Sequence, residues 1–190
     1  MTSLLVLTDI WGDRAQVANW LSPIVAAIPG LNDVQVISPY RSDFCHPATE
    51  QQAYQRFQQA GGLPSYIAKA QVTLTPQSLV IGFSAGGAAA FALAASNEPP
   101  AAVFAVYGGQ IHRMADLQIR CPTELLFSNE GHFDVAALMA VLQQQPMIHA
   151  EHWPLTHGFA NPHSTAYDAK AQQLLACRLS HWLAEKTKGA

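Results

Sequence analysis

The sequence contains few charged residues and no concentration of basic ones. Lys, Arg, Asp and Glu together make up 12% of its 190 residues, and the formal net charge is -3. A protein that neutralises phosphate groups needs lysines and arginines clustered on one face or along one helix. The composition therefore argues against nucleic acid as a partner, and equally against an anionic membrane surface.

Cysteine is also scarce, and no long hydrophobic run is present. Cys45, Cys121 and Cys177 are odd in number and far apart, which is typical of a protein from a reducing compartment rather than of a disulfide framework. The N-terminal apolar run is short and is interrupted by Asp9, so it predicts neither a signal peptide nor a membrane helix. We expect a cytoplasmic protein that is a monomer or a small homo-oligomer.

Apolar β-type runs alternate with longer amphipathic stretches along the whole chain. Hydrophobic residues make up 49% of the sequence, and the length suits a single domain over residues 1–190. The predicted strands are 3–8, 33–37, 78–83, 102–107, 123–128 and 147–152, and the predicted helices lie near 13–28, 48–60, 64–71, 85–96, 134–144 and 165–186. This alternation predicts a three-layer α/β/α sandwich with a mostly parallel sheet of about six strands and no large cap domain.

A G-x-S-x-G pattern lies between a predicted strand and an Ala-rich predicted helix. It is formed by Gly82, Ser84 and Gly86, with one residue between each pair. In this context the pattern predicts a sharp turn that exposes the serine hydroxyl at a helix N-terminus, so Ser84 is the predicted nucleophile. Two alternatives are a simple tight turn with Ser84 as the N-cap, and a phosphate-binding loop, although the P-loop lysine is missing.

A serine nucleophile needs a base within hydrogen-bond reach, and several histidines follow the last predicted strand. His157, followed by Gly158, has the position in the chain order that the base occupies, and His152 is the next candidate. His149 and His163 complete a cluster that invites a metal interpretation. Its spacing fits no H-E-x-x-H motif and no cysteine lies nearby, so we predict no metal and no cofactor.

With these segments in place, most of the chain resembles the dienelactone hydrolase family of the α/β-hydrolase superfamily. The resemblance rests on four short matches, at residues 9–12, 82–87, 131–133 and 157–159. The elbow around Ser84 and the histidine loop are the more specific of the four.

The resemblance implies roles for the residues that follow the first strand. The backbone N–H groups of Ile10 and Ala85 would form an oxyanion hole, and Asp9 and Trp11 would lie in the substrate pocket. Asp9 has a second interpretation, as a cap or loop-closing residue for the helix that begins near Asp13.

The third member of the expected triad is missing from its usual position. Aligning residues 131–133 with the family places Gly131 where its aspartate belongs. Glu130 lies one residue earlier, has a longer side chain and is the preferred acid. Asp134 lies three residues later and could instead be a helix N-cap, and a site without an acid is the third alternative.

Two further features concern the substrate. Asn161 occupies the place of an arginine that holds the substrate carboxylate in the family members that cleave dienelactones, so dienelactone itself is not the expected substrate. Residues 40–66 are rich in aromatic side chains, which would form either a small cap or part of the core. These are Tyr40, Phe44, Tyr54, Phe57 and Tyr66.

The sequence thus predicts a serine hydrolase that cleaves a small or medium carboxylic ester or thioester through an acyl-enzyme on Ser84. His157 would act as the base and Glu130 would orient it. A non-catalytic or slow binding protein of the same fold is the alternative, because the acid is displaced. Acyl transfer by the same residues is a third possibility.

Overall fold

The computed structural model describes residues 2–31, 33–41 and 47–188. The six strands are β1 (Ser3–Leu7), β2 (Asp33–Ile37), β3 (Ser78–Phe83), β4 (Ala102–Val106), β5 (Thr123–Asn129) and β6 (Ile148–Thr156). The helices are α1 (Arg14–Ala26), α2 (Glu50–Gln59), α3 (Gly62–Gln71), α4 (Ala85–Ala94), α5 (Val135–Leu142) and α6 (Ala169–Thr187). A 3₁₀ helix, Gly109–Arg113, follows β4.

The strands form one sheet in the order β2-β1-β3-β4-β5-β6, and every neighbouring pair is parallel. All residues of the central strands β3 and β4 are buried, which explains why these segments are continuously apolar in the sequence. The predicted parallel α/β architecture is confirmed.

Helices cover both faces of the sheet. On one face, α1 and α6 bury Leu21 and Trp182 against the strands. On the other face, Phe57 of α2, Tyr66 of α3 and Leu138 of α5 pack in a core together with the alanines of α4. The small side chains of α4 allow that helix to lie close to the sheet.

The structure differs from the sequence prediction mainly after β5. The last strand continues to Thr156 instead of ending at 152, because Thr156 pairs with Asn129 beyond a register shift in the sheet. Pro154 is compatible with this extension because β6 is an edge strand. Helix α6 begins later than predicted, at Ala169, where the side chain of Asp168 accepts backbone hydrogen bonds as the N-cap.

The aromatic residues of segment 40–66 belong mainly to the core. Tyr40, Phe57 and Tyr66 are buried, whereas Tyr54 is 49% exposed. Phe44, like Cys45, lies outside the described residues. None of the described helices is both long and apolar enough to cross a membrane.

Candidate active site

The predicted site residues follow the carboxyl ends of the parallel strands, which meet at one edge of the sheet. Ser84 follows β3, Glu130 follows β5 and His157 follows β6 directly, and Asp9 lies two residues beyond β1. Tyr107 follows β4 in the same way. In parallel α/β sheets this edge is where ligands bind.

The turn at Ser84 requires glycine two residues before the serine and two residues after it. Ser84 has φ 52° and ψ -115°, a conformation that a non-glycine residue rarely adopts. A Cβ atom at Gly82 would overlap the carbonyl oxygen of Gly86, and a Cβ at Gly86 would overlap the carbonyl oxygens of Leu7 and Thr8. The neighbouring strand and the helix therefore approach each other closely and hold the serine in its strained position.

Ser84, His157 and Glu130 form a continuous line of hydrogen bonds. The distance from Ser84 Oγ to His157 Nε2 is 2.9 Å, and His157 Nδ1 lies 2.7 Å from Glu130 Oε1. Ser128 Oγ donates to the same Glu130 oxygen over 2.9 Å. The Glu130 side chain is only 7% exposed, compared with 29% for His157, so the carboxylate is held in a sheltered position behind the imidazole.

The other candidates for acid and base make different contacts. Asp134 is the N-cap of α5, and its Oδ1 accepts from the backbone N–H of Ala137 at 3.0 Å. His152 is exposed, and its Nε2 lies 2.9 Å from Asn129 Oδ1. The structure therefore brings Glu130 to the imidazole of His157.

The loop after β1 fixes the orientation of the Ile10 amide. The carbonyl of Asp9 accepts a hydrogen bond from the Gly12 N–H at 3.1 Å, and the Ile10 N–H points the opposite way across the same trans peptide. Tyr40 Oη donates to the carbonyl of Ile10 at 2.6 Å and anchors the next peptide. Ile10 lines the same cavity as Ser84.

The Ala85 amide lies at the start of α4. The first hydrogen bond of the helix runs from the Ala88 N–H to the Ser84 carbonyl at 2.9 Å, so the Ala85 N–H has no acceptor within the helix. Ala85 also lines the cavity at Ser84. The two amides predicted for an oxyanion hole therefore border the same space.

Asp9 takes part in the loop after β1 and also borders the cavity at Ser84. Its Oδ1 accepts from the Trp11 N–H at 2.9 Å, which closes the loop, and the residue also lines the cavity. Its Oδ2 accepts from Asn161 Nδ2. Burial raises the pKa of Asp9, while the hydrogen bonds from Asn161 and Trp11 oppose that shift. The N-cap of α1 is Asp13.

A second set of contacts joins the segment after β1 to the loop that carries His157. The backbone N–H of His163 donates to Asn161 Oδ1 at 2.8 Å, and His163 Nε2 lies 3.0 Å from Asp13 Oδ2. The rings of Trp11 and His163 are stacked with their centroids 5.5 Å apart. The contacts of His163 with Asp13 and Trp11 thus hold the loop after β6 against the segment after β1.

A cavity of about 350 Å³ opens above Ser84. Asp9, Ile10, Trp11, Ala85, Glu130 and His157 all contribute to its lining. Within the described ranges, no group of three or more His, Cys, Asp or Glu side chains is arranged to hold a metal ion. One small cavity is thus bordered by residues that carry a hydroxyl, an imidazole, a carboxylate and two backbone amides.

Comparison with known proteins identifies the family. The sequence model of the dienelactone hydrolase family matches residues 3–187. The chain belongs to this family. Membership supports hydrolase activity in general terms. No curated protein sequence matches the chain significantly.

Solved structures share the fold of this dienelactone hydrolase family member at low sequence identity. Dienelactone hydrolase from Anabaena variabilis is 17% identical with a TM-score of 0.58, and the match covers 97% of this chain and 86% of that one. The dienelactone hydrolase-like promiscuous phosphotriesterase P91 from metagenomic libraries is 17% identical with a TM-score of 0.64 and the same coverage. Arabidopsis thaliana SOBER1 is 10% identical with a TM-score of 0.52, covering 98% and 99% of the two chains.

Sequence reasoning missed two residues of this family member's site. Tyr107 has φ 38°, is buried, and its ring centroid lies 5.1 Å from that of His157. Burial, reinforced by the charge of Asp9, raises the pKa of Tyr107 well above its usual value. The sequence signal that could have identified Tyr107 is its position directly after β4. Asn161 was noted only for lacking a positive charge, and no sequence signal links it to Asp9, 152 residues away.

Proposed function

We propose that this protein is a serine hydrolase that cleaves small or medium carboxylic esters or thioesters through an acyl-enzyme on Ser84. The observation that carries the proposal is the 2.9 Å contact between Ser84 Oγ and His157 Nε2, on a strained turn at a helix N-terminus. Membership in a hydrolase family supports the reaction class.

The hydrogen bonds of His157 are compatible with the tautomer that a general base needs. When Nδ1–H donates to the Glu130 carboxylate over 2.7 Å, Nε2 carries a lone pair and accepts the hydroxyl proton of Ser84. Ser84 Oγ then attacks the carbonyl carbon of the ester while His157 takes its proton. Glu130 stabilises the imidazolium ion that results.

The remaining steps follow from the same groups. The N–H groups of Ile10 and Ala85 stabilise the negative oxygen of the tetrahedral intermediate, and His157 returns its proton to the leaving alcohol or thiol. His157 deprotonates the water that attacks the acyl carbon, and it then returns this proton to Ser84 Oγ as the bond between Oγ and the acyl carbon breaks and the acid leaves. Loss of one such amide donor typically slows the chemical step about 10²- to 10³-fold.

Covalent labelling tests the proposal against the alternative of a non-catalytic binding protein. A fluorophosphonate probe should label the folded wild type, and mass spectrometry should locate the adduct on Ser84. Ser84→Ala should abolish both labelling and hydrolysis of p-nitrophenyl butyrate. Ser22→Ala, at an exposed position of α1, is the matched control and should behave as the wild type.

Two outcomes would contradict the proposal. Folded wild-type protein that neither reacts with the probe nor hydrolyses the ester would favour the binding protein. Labelling that persists in Ser84→Ala would place the reactive group elsewhere. Product analysis with a competing alcohol separates hydrolysis from acyl transfer by the same residues.

A further inference from the structure

We infer that the cavity above Ser84 favours esters that carry a positively charged ammonium group over esters that carry a carboxylate. The inference rests on the proposed function, because it concerns the substrate of the same site. The evidence for it is the set of charged and aromatic side chains that line the cavity.

The charged groups of the lining are mainly acidic. Asp9, Glu50 and Glu130 contribute carboxyl groups, and no lysine or arginine is among the described residues that line the cavity. Glu130 is paired with His157, and the burial of Asp9 disfavours its ionised form. Glu50 is exposed to solvent. Of the three carboxyl groups, that of Glu50 is therefore the one that faces the solvent.

Aromatic rings accompany that carboxylate. Tyr54 follows Glu50 by four residues on α2, so both side chains lie on one helix face, and both line the cavity. Trp11 and Tyr107 line it deeper in, where both are buried. Aromatic faces and a carboxylate together stabilise an organic cation, through cation–π contacts and charge attraction.

The same arrangement disfavours an anionic substrate. A carboxylate on the substrate would meet the like charge of Glu50, and the described lining offers no lysine or arginine to compensate for its desolvation. The cavity volume of about 350 Å³ lies at the small end of the range for ligand pockets, so any charged group on the substrate stays close to these side chains.

Three thioesters of closely similar shape test the inference. They are acetylthiocholine, the neutral 3,3-dimethylbutyl thioacetate, and the anionic 4-(acetylthio)-2,2-dimethylbutanoate, and the released thiol is measured in each case. At low ionic strength we expect kcat/KM for the cationic thioester to exceed that for the neutral one by about threefold to tenfold. The anionic thioester should be slower than the neutral one, and about 0.5 M salt should reduce both differences.

A substitution of Glu50 tests whether its carboxylate causes the preference for the cationic thioester. Glu50→Gln should lower the cationic-to-neutral ratio of kcat/KM towards one, because the substituted amide carries no charge. Glu98→Gln changes an exposed glutamate outside the cavity lining and should leave the ratio unchanged. A ratio that is the same in Glu50→Gln and the wild type would overturn the inference, as would an anionic thioester that is hydrolysed as fast as the neutral one.

The experiment separates this inference from the proposed function. Hydrolysis of the neutral thioester without a cationic preference refutes the substrate class alone. Hydrolysis of none of the three, together with failure of the fluorophosphonate probe to label Ser84, refutes the proposed function and the substrate class with it.

Discussion

Glu130 lies one residue before the position expected for the acid, and its longer side chain compensates for the difference. Its Oε1 reaches His157 Nδ1 at 2.7 Å and also accepts from Ser128 Oγ. The carboxylate is thus aimed by a second hydrogen bond, and its side chain is almost fully buried. A glutamate in this place can orient the imidazole as an aspartate would from the next position.

Replacing Glu130 tests its proposed role. In Glu130→Gln the amide cannot accept from Nδ1–H with the same strength and can present its own N–H, which favours the wrong imidazole tautomer. We expect kcat to fall about 10³- to 10⁴-fold. Asp134→Asn keeps the helix N-cap and should retain wild-type activity in the same ester assay. Equal losses in the two variants would contradict the role of Glu130.

Asp9 is a buried carboxyl whose pKa is raised from 3.8 by desolvation. The folded state therefore binds the proton more tightly than the unfolded state. The resulting contribution to stability is fully present below the unfolded pKa, and it is lost as the pH rises towards the folded pKa.

Substitution of Asp9 gives a measurable pH dependence. The free energy of unfolding of the wild type, minus that of Asp9→Asn, should fall as the pH rises above 3.8 and level off above the folded pKa. The slope cannot exceed about 1.4 kcal/mol per pH unit, the limit for one proton. Urea unfolding at a series of pH values measures it. A difference that grows with pH would show that the pKa of Asp9 is lowered by folding.

At the scale of elements, the strand-turn-helix unit of β3 and α4 depends on close backbone approach. Gly86 lies against the carbonyl oxygens of Leu7 and Thr8, at the point where β1 ends. This contact couples the turn that carries Ser84 to the loop that carries Ile10. The two amides proposed to bind the oxyanion are therefore positioned by the same packing contact.

Gly86→Ala should disrupt this unit. A Cβ atom at this position overlaps backbone oxygens, which can yield only if β1 and α4 move apart. We expect a loss of about 3 kcal/mol or more in the free energy of unfolding. Gly131→Ala is the control, because a Cβ there has no atom within 4 Å and should change stability little. Denaturant unfolding followed by circular dichroism compares the two, and a Gly86→Ala variant as stable as Gly131→Ala would contradict the contact.

At the scale of the whole molecule, the sheet has a fully buried centre and more accessible edges. All residues of β3 and β4 are buried, whereas β2 forms an edge and contains no fully buried residue. Local opening needs least energy where few apolar contacts are lost. The site residues that follow β3 and β5 are thus attached to the more stable part of the sheet.

Native-state hydrogen exchange should reproduce this gradient. Hydrogen-bonded amides of β3 and β4 should exchange only through global unfolding and show the full unfolding free energy. Amides of β2 should exchange through smaller openings, at lower free energy and with little dependence on denaturant. Mass spectrometry of peptides covering 33–37 and 78–83 makes the comparison. Equal protection in the two peptides would mean that the sheet opens only as a unit.

Much of this protein could be predicted from local sequence patterns. Continuous apolar runs identified the central strands β3 and β4 because strands buried on both faces contain few polar residues. The elbow at Ser84 was recognisable because the collision between a side chain at position 82 and the carbonyl oxygen of Gly86 lies within the turn itself. These features depend on sterics and hydrophobic burial over a few residues, which the order of amino acids fixes directly.

Tertiary structure decided which side chains meet. The extension of β6 to Thr156 places His157 directly at the end of the strand, where Glu130 reaches it and Asp134 caps a helix instead. Asp9 and Asn161 come together from opposite ends of the chain. Such contacts depend on strand length, register and loop path, which are set when all six strands pack. The sequence by itself determined the fold and the glycine-flanked turn at Ser84, and only packing selected the carboxylate that faces the imidazole.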